Sequence, residues 1–267
     1  MVRVAWATDV HLDWLDDRAR LGFFQEVSRL TADCLVLTGD LADGAETAAY
    51  LRRLEADFRR PIYFVLGNHD YFGRSISRVR QEIGQLAAAS EKLVYLTAIG
   101  HVELSPSTGL VGHDSWGDAR LGDFENSRVC LPDFVAIEEL AEIHRDREQL
   151  RRRLNELGDE AARHFAAVVP EALERYARVV VAVHVPPFGE AARHRGSSSD
   201  DDWLPYCACR AVGEVLHEAA VRRPDRQLLV LCGHTHENCE IAVRPNLRVL
   251  TGGWDNGRAA LQRVFQW

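Results

Sequence analysis

The chain has 267 residues, of which 46% are hydrophobic and 27% are charged, and its formal net charge is −8. This composition is typical of a folded globular protein and excludes the disordered class, and no apolar run is long enough for a membrane-spanning helix. The negative charge argues against a general nucleic-acid surface, because binding to a phosphate backbone depends on clustered Lys and Arg. Six cysteines without a Cys-x-x-Cys pair, and no room for a signal peptide before position 9, predict a cytoplasmic location.

Five short apolar runs rich in Val, Leu and Ile lie along the chain at residues 2–8, 34–38, 62–66, 179–183 and 228–232. Such runs, bounded by Gly, Asp or Asn, are typical of strands that are buried on both faces of a sheet. Each run is followed by polar side chains of the types that bind metals. These side chains are Asp9 and His11, Asp40, Asn68 and His69, His184, and His234 and His236.

Helical segments separate the first three runs. Apolar residues recur at intervals of three and four in residues 21–30 and again in residues 48–58. This alternation of strand and helix predicts an α/β fold with parallel strand pairing. Ligands of such sheets bind beyond the carboxyl ends of the strands, so we expect the five polar clusters to converge there.

The regular spacing ends after His69, because 115 positions separate it from His184, compared with 29 from His11 to Asp40. The intervening sequence predicts a helix over residues 75–89, short strands near Val102 and Leu110, and helices over residues 134–157 and 170–177. We interpret residues 117–175 as a helical cap inserted into a single domain that spans residues 1–267.

The last part of the chain predicts a flexible acidic loop and three strands. Residues 196–202 (GSSSDDD) are small and polar, as in a solvated loop. Apolar stretches at residues 240–243, 247–251 and 260–265, separated by turn residues, predict antiparallel strands that close a second sheet.

The polar clusters contain the donors that two neighbouring divalent ions require, namely imidazoles, carboxylates and one carboxylate able to bridge. In D-x-H (Asp9, His11) and G-H-T-H (His234, His236), two donors flank a single residue and can face the same ion. A lone His after a strand is more often structural than a ligand. Here D-x-H, G-D, G-N-H-D, H-x-P-P and G-H-T-H follow in order, each after an apolar run, and the combination favours a metal centre.

This set of motifs resembles the calcineurin-like metallophosphoesterase superfamily, and the resemblance covers the chain from Asp9 to His236. It implies an α/β fold, a four-layer αββα sandwich of two mixed sheets flanked by helices. It also implies a site for two metal ions. In that site Asp9, His11 and His236 hold one ion, Asn68, His184 and His234 hold the other, Asp40 bridges them, and His69 is the catalytic histidine.

The resemblance implies hydrolysis of a phosphoester by a metal-bridging hydroxide, and the physical roles agree with it. Two ions lower the pKa of a shared water to about 7 and clamp the entering and leaving oxygens. His69 would stabilise the phosphoryl oxygens or protonate the leaving group, and Asp70 would orient its ring or cap a helix. Nitrogen and oxygen donors without thiolates predict Mn, Fe or Zn, without ranking them.

Three further features could meet a substrate. His113 and Trp116 lie in GHDSWG, and residues 252–257 (GGWDNG) form a similar segment, although such Gly-rich turns with an aromatic residue are often structural. Arg74 is a candidate phosphate clamp, with a solvated helix-end arginine as the alternative.

The sequence leaves the substrate open among four hypotheses. GDLAD stands where serine/threonine protein phosphatases carry Asp-Arg-Gly, which argues against that activity. We favour a small-molecule phosphodiester, with a metabolite phosphomonoester as the alternative. A nuclease would require a positive groove, which the net charge disfavours. A non-catalytic protein-binding scaffold would have an eroded site, whereas every expected position is filled here.

Overall fold

The computed structural model describes residues 1–194, 197–254 and 257–267, so Gly196 and two residues of the 252–257 segment lie outside the described ranges. In chain order, the strands and helices are β1 Arg3–Ala7, α1 Asp17–Ser28, β2 Cys34–Thr38, α2 Thr47–Asp57, β3 Ile62–Val65, α3 Ile76–Ala88, β4 Leu93–Tyr95, β5 Val102–Ser105, β6 Thr108–His113, α4 Asp133–Ala136, α5 Glu138–Ala141, α6 Arg147–Arg175, β7 Arg178–Val183, β8 Arg193–His194, β9 Ser197–Ser198, α7 Leu204–Cys207, α8 Arg210–Arg222, β10 Gln227–Cys232, β11 Cys239–Arg244, β12 Leu247–Thr251 and β13 Arg263–Gln266.

Two mixed sheets form the centre of the fold. The first has the order β13-β1-β2-β3-β4 and the second has the order β11-β12-β10-β7-β6-β5. Strands β1 to β4 are parallel to one another, as are β12, β10, β7 and β6, and the antiparallel strands lie at the edges. The five predicted apolar runs are therefore strands with parallel neighbours, three (β1, β2 and β3) in the first sheet and two (β7 and β10) in the second.

Alternate residues of each strand face different layers. In β1, Val4 and Trp6 belong to the buried cluster between the sheets, together with Leu231 of the second sheet. Ala5 and Ala7 belong to the cluster beneath α1, α2 and α3. Helices α6 and α8 cover the outer face of the second sheet. Two mixed sheets between helical layers confirm the predicted fold class.

The last strand lies in a different sheet from the predicted one. Strands β11 and β12 do pair antiparallel in the second sheet, but β13 pairs antiparallel with β1 at the edge of the first. The backbone N–H of Gln262 donates to the carbonyl of Trp6 at 2.8 Å, and the Phe265 and Trp6 ring centroids are 6.4 Å apart. A pattern of alternating apolar residues predicts a strand but does not specify which open edge it joins.

One helix, α6, joins the part of the predicted helix 134–157 from residue 147 onward to the predicted helix 170–177. Pro170 lies inside it, and a proline there removes one hydrogen bond of the helix. The helix continues because Phe165, Val169, Ala172 and Leu173 are buried in the cluster on the second sheet. From Ala161 onward, the segment expected to form a cap is thus part of the outer layer over the second sheet, whereas Leu150 and Leu157 belong to the other core cluster.

The earlier part of that segment holds the short helices α4 and α5 and lies beside the carboxyl ends of the strands. Leu131, Pro132 and Asp133 line a cavity that opens at these strand ends and is called the main cavity below. Among the helices of the described ranges, none is both long and apolar enough to span a bilayer.

Candidate metal centre

The seven predicted metal ligands lie at the carboxyl ends of parallel strands. The ends of β1, β2, β3, β7 and β10 carry, respectively, Asp9 with His11, Asp40, Asn68, His184, and His234 with His236. Five of them have a positive φ: 49° at Asp9, 38° at His11, 53° at Asp40, 73° at His234 and 59° at His236. Such angles are uncommon for residues other than glycine and concentrate at functional sites. Only Ser115 and Ala119 share them among the other non-glycine residues described.

Two glycines in the motifs leave room for ligands of other strands. A Cβ added at Gly233 would lie 1.9 Å from Oδ2 of Asp9, and one added at Gly67 would lie 2.2 Å from Oδ1 of Asp40. Both distances are far inside van der Waals contact, so any side chain would displace the carboxylate. The glycines of G-H-T-H and G-N-H therefore set the spacing of the ligands.

A first group of donors consists of Asp9, His11, Asp40 and His236, whose ligand atoms all lie within 4.8 Å of one another. Nε2 of His11 is 3.1 Å from Nε2 of His236 and 3.7 Å from Oδ2 of Asp40. Nε2 of His236 is 3.5 Å from Oδ1 of Asp9. Imidazole nitrogens and carboxylate oxygens at these separations could hold one divalent cation.

A second group of donors adjoins the first. Oδ1 of Asn68 is 3.0 Å from Nε2 of His184 and 2.9 Å from Nδ1 of His234. Nε2 of His184 is also 3.4 Å from Oδ2 of Asp40, the oxygen that faces His11. Asp40 therefore lies between the two groups and is the carboxylate that both could share.

Backbone carbonyls fix which ring nitrogens of the second group are free to bind a cation. Nδ1 of His184 is 2.8 Å from the carbonyl of Thr38, and Nε2 of His234 is 3.2 Å from the carbonyl of Tyr206. A ring nitrogen that faces a carbonyl carries the hydrogen, so the opposite nitrogen directs its lone pair toward the donor group.

The electrostatics of the cluster favour a bound cation. Burial lowers the pKa of His11 to about 4 and that of His234 to about 3, which keeps both rings in the neutral, metal-binding form. Burial would raise the pKa of Asp40, but His184 lowers it well below its usual range. Burial likewise disfavours the charged form of His184, yet Asp40 raises its pKa to about 10. The site therefore attracts a positive charge, and a metal cation would replace that proton.

Comparison with known proteins identifies the family. The family model described as calcineurin-like phosphoesterase matches residues 2–238, a range that includes all seven candidate ligands. The chain belongs to this family. No curated protein matches the chain.

Solved structures share the fold of this phosphoesterase. A phosphopantetheinyl hydrolase from Mycobacterium tuberculosis is 14% identical, with a TM-score of 0.60 over 94% of this chain and 89% of that one. A dimetal phosphatase from Danio rerio is 15% identical, with a TM-score of 0.59 over 94% of this chain and 87% of that one. Similarity at such low identity shows only a shared fold, so a functional proposal rests on the geometry of the candidate ligands.

His69 lies at the edge of the phosphoesterase metal centre and lines the main cavity. Its Nδ1 is 2.9 Å from Oδ1 of Asp43, and its backbone N–H donates to Oδ1 of Asp40 at 2.9 Å. Burial would lower the pKa of His69, but Asp40 and Asp43 raise it above its usual value. The two carboxylates thus favour the protonated form of the ring, next to the donor groups. Asp43 is the last residue of the GDLAD segment, so this motif could have indicated Asp43 as a partner of His69.

The prediction that Asp70 orients the ring of His69 is wrong. The buried carboxylate of Asp70 accepts hydrogen bonds from the backbone N–H groups of Asp40 at 2.9 Å and Gly67 at 2.8 Å, and from the hydroxyl of Thr47 at 2.9 Å. It lies within the 3₁₀ turn His69–Tyr71 and does not cap it. Asp70 instead ties the loop after β2 to the loop after β3, which carry Asp40 and His69.

The structure does not bring the candidate substrate contacts Arg74, His113 and Trp116 to the main cavity. Trp116 is buried in the hydrophobic core. His113 is buried at the end of β6, where Nδ1 accepts from the backbone N–H of Ser115 at 3.0 Å. Arg74 forms an ion pair with Glu82 at 2.6 Å. Core packing and local pairing already engage these side chains, although Trp116 also lines a small inner cavity with Asn68, His184 and His234. Their contact with a substrate stays a prediction.

A cavity of about 390 Å³ opens at the metal centre. Apart from the ligands, its wall includes Leu131, Asp133, Arg193, Trp203 and Trp254. Trp254 belongs to the GGWDNG segment, in which the sequence indicated a turn with an aromatic anchor. Nothing in the sequence indicated the others, because they come from loops and very short elements whose positions depend on distant contacts.

Aromatic rings flank the first donor group. The ring of Trp14 stacks on His11, with centroids 4.3 Å apart and planes inclined by 13°. Trp254 packs against His236 at 5.1 Å and against Trp14 at 5.5 Å. Trp14 remains 47% exposed. These contacts restrict rotation of two ligand rings and present an aromatic surface beside the centre.

Proposed function

We propose that this chain is a hydrolase that cleaves phosphoester bonds of a small molecule with the aid of two divalent metal ions. The observation that carries the proposal is the pair of donor groups that share Asp40. One ion would be held by Asp9, His11 and His236, and the other by Asn68, His184 and His234, with Asp40 between them. Membership of the calcineurin-like phosphoesterase family supports this chemistry.

The residues present fit such ions. Oxygen and neutral imidazole donors without thiolates suit Mn²⁺, Fe or Zn²⁺, and the carbonyls of Thr38 and Tyr206 orient two of the rings. Paired ions of this kind supply a water of lowered pKa and offset the negative charge on the phosphoryl oxygens.

The chain itself contributes a proton donor at His69. The carboxylate of Asp43 accepts from Nδ1 and holds the ring toward the cavity. Asp40 and Asp43 raise the pKa of His69 and so favour its protonated form, from which a proton could pass to the departing alcohol oxygen. His69 would otherwise stabilise the phosphoryl oxygens by hydrogen bonding.

We favour a phosphodiester substrate. A second cavity, of about 380 Å³, shares His236 and Trp254 with the first and is also lined by Arg258 and Gln262. Cavities on both sides of these two residues support a substrate with an organic group on each side of its phosphate. A phosphomonoester is the second candidate, because the main cavity with His69 is large enough for a phosphate and one organic group.

A nuclease or a protein-binding scaffold is less well supported. The net charge of −8 disfavours contact with a nucleic-acid backbone. A scaffold would not require an acid such as His69 or a carboxylate such as Asp40 between two donor groups, both of which are present.

The test uses matched chromogenic phosphodiester and phosphomonoester substrates. Metal-stripped protein is reloaded separately with Mn²⁺, Zn²⁺ and Fe²⁺, and Asp40→Ala is the control. We expect metal-dependent turnover with a preference for the diester, and in Asp40→Ala a loss of at least about 10³-fold in kcat together with lower metal content. Preference for the monoester would select the second candidate, and full activity of Asp40→Ala would refute the mechanism.

A further inference from the structure

The amide of Asn68 has a carboxylate partner outside the two donor groups. Nδ2 of Asn68 donates to Oδ1 of Asp133 at 3.0 Å, and Asp133 is only 3% exposed. The oxygen of the same amide points the other way, toward His184 and His234. An ionised carboxylate can only accept hydrogen bonds, so this contact requires the amide nitrogen to face Asp133.

We propose that Asp133 is a positioning residue that selects the orientation of the Asn68 amide and so directs its oxygen to the cation. The two ends of an amide are nearly equal in shape, and a half-turn would exchange them. After such a turn, Asn68 would present N–H donors to the cation, which repel it. This inference rests on the proposed function, because it assigns Asn68 to the ion that His184 and His234 would also hold.

The position of Asp133 does not depend on its contact with Asn68. Asp133 is the first residue of α4, and α4 and α5 dock on the chain just beyond His69. The backbone N–H of Gly73 donates to the carbonyl of Ala136 at 2.7 Å. Glu139 accepts from the backbone N–H of Ile76 at 2.9 Å, at the start of α3. The carboxylate is thus held beside Asn68 by a preformed backbone, as a positioning role requires.

The segment that carries Asp133 also forms part of the cavity wall. The alternative role for Asp133 is therefore contact with the substrate. The two roles differ in what they change: a positioning residue alters the affinity for one metal ion, whereas a substrate contact alters KM at saturating metal.

The decisive variant is Asp133→Asn, because an amide at this position can either accept from or donate to Asn68. Metal-stripped protein is titrated with Mn²⁺ by calorimetry. We expect the wild type to bind two ions, and the variant to bind one of them about 10- to 100-fold more weakly, with the other unchanged. At saturating Mn²⁺ most of the lost turnover should return. The unfolding temperature of the metal-stripped variant should remain close to that of the wild type.

The matched control is Asp123→Asn, which makes the same change of charge in the same segment. Asp123 accepts from the backbone N–H of Asn126 at 3.2 Å and does not line the main cavity. Both Mn²⁺ affinities should be unchanged in this control.

Three results would overturn the role of Asp133. In the first, Asp133→Asn binds both ions with wild-type affinity. In the second, its KM rises while both affinities are unchanged. In the third, it binds both ions more weakly and the metal-stripped variant unfolds at a lower temperature than the wild type. A wild-type protein that binds no Mn²⁺, Zn²⁺ or Fe²⁺ would instead refute the proposed function itself. The wild-type titration thus separates the two failures.

Discussion

The metal centre and the wall of the adjoining cavity differ in how directly the sequence encodes them. The ligands follow buried strands within a few residues, so the sheet places them wherever the strands end. The wall residues Arg193, Trp203 and Trp254 come from the two-residue strand β8 and from loops, in the connections between the long strands and helices. Candidate ligands at strand ends can be predicted from the local sequence. The surface that selects a substrate depends instead on the paths of long connections between elements.

The same contrast holds among the carboxylates near His69. Asp70 is adjacent to His69 in sequence, yet it holds backbone N–H groups of two loops. Asp43 lies 26 positions away and contacts the ring. Adjacency in sequence therefore identified the wrong partner, because the 3₁₀ turn directs neighbouring side chains to different sides.

The largest effect on activity is expected in the variant His69→Ala. The ring lies at the edge of the centre but outside both donor groups, so kcat should fall roughly 10²- to 10⁴-fold while metal content stays at the wild-type value. Steady-state kinetics and elemental analysis of the same preparation provide the measurement. Unchanged kcat, or loss of metal, would contradict the assignment of His69 as a proton donor.

A smaller effect should distinguish Asp43 from Asp70. In Asp43→Asn we expect kcat to fall roughly 10- to 100-fold. Loss of the carboxylate also lowers the pKa of His69. As the pH rises, the ring should therefore lose its proton, and the enzyme its activity, at a lower pH than in the wild type. The pH profile of kcat measures both effects.

The matched variant Asp70→Asn should mainly lower the free energy of unfolding, by roughly 1–3 kcal/mol, because buried N–H groups lose their acceptor. Urea denaturation of the metal-stripped protein measures it. The assignment of the two carboxylates would be reversed if Asp70→Asn, rather than Asp43→Asn, shifted the pH profile.

The smallest effect concerns His113, which the structure places in the core. Burial lowers its pKa to about 3 from an ordinary 6.5, so between these values the unfolded chain binds a proton that the folded chain excludes. Its contribution to stability is complete above pH 6.5 and declines as the pH falls toward 3, by about 1.4 kcal/mol per unit.

The variant His113→Gln tests this assignment. Relative to the wild type, the loss of unfolding free energy between pH 7.5 and 5.5 should shrink by roughly 1 kcal/mol. Urea denaturation at the two pH values gives the comparison, and KM should stay unchanged. A large rise in KM would instead indicate that His113 contacts the substrate.

Most of the fold and the convergence of the candidate ligands were predictable, for one physical reason. Short apolar runs with ligand-type residues at their ends specify both a parallel sheet and the edge where ligands meet. The position of β13 was not predictable, because a strand's own pattern does not select its sheet. The continuity of α6 through Pro170 was missed as well, since burial of Phe165 and Val169 outweighs one lost hydrogen bond. Asp133 was missed because its partner, Asn68, is 65 positions away.

The two motif glycines make the strand-end loops sterically interdependent. Gly67 lies against Asp40, and Gly233 lies against Asp9, so in each case a residue of one loop limits the space of a carboxylate on another. A bulkier residue in either loop would disturb a donor that it does not itself carry. Transplanting this centre to another scaffold would therefore require the opposing glycines as well as the ligands, since the loops fit only as a set.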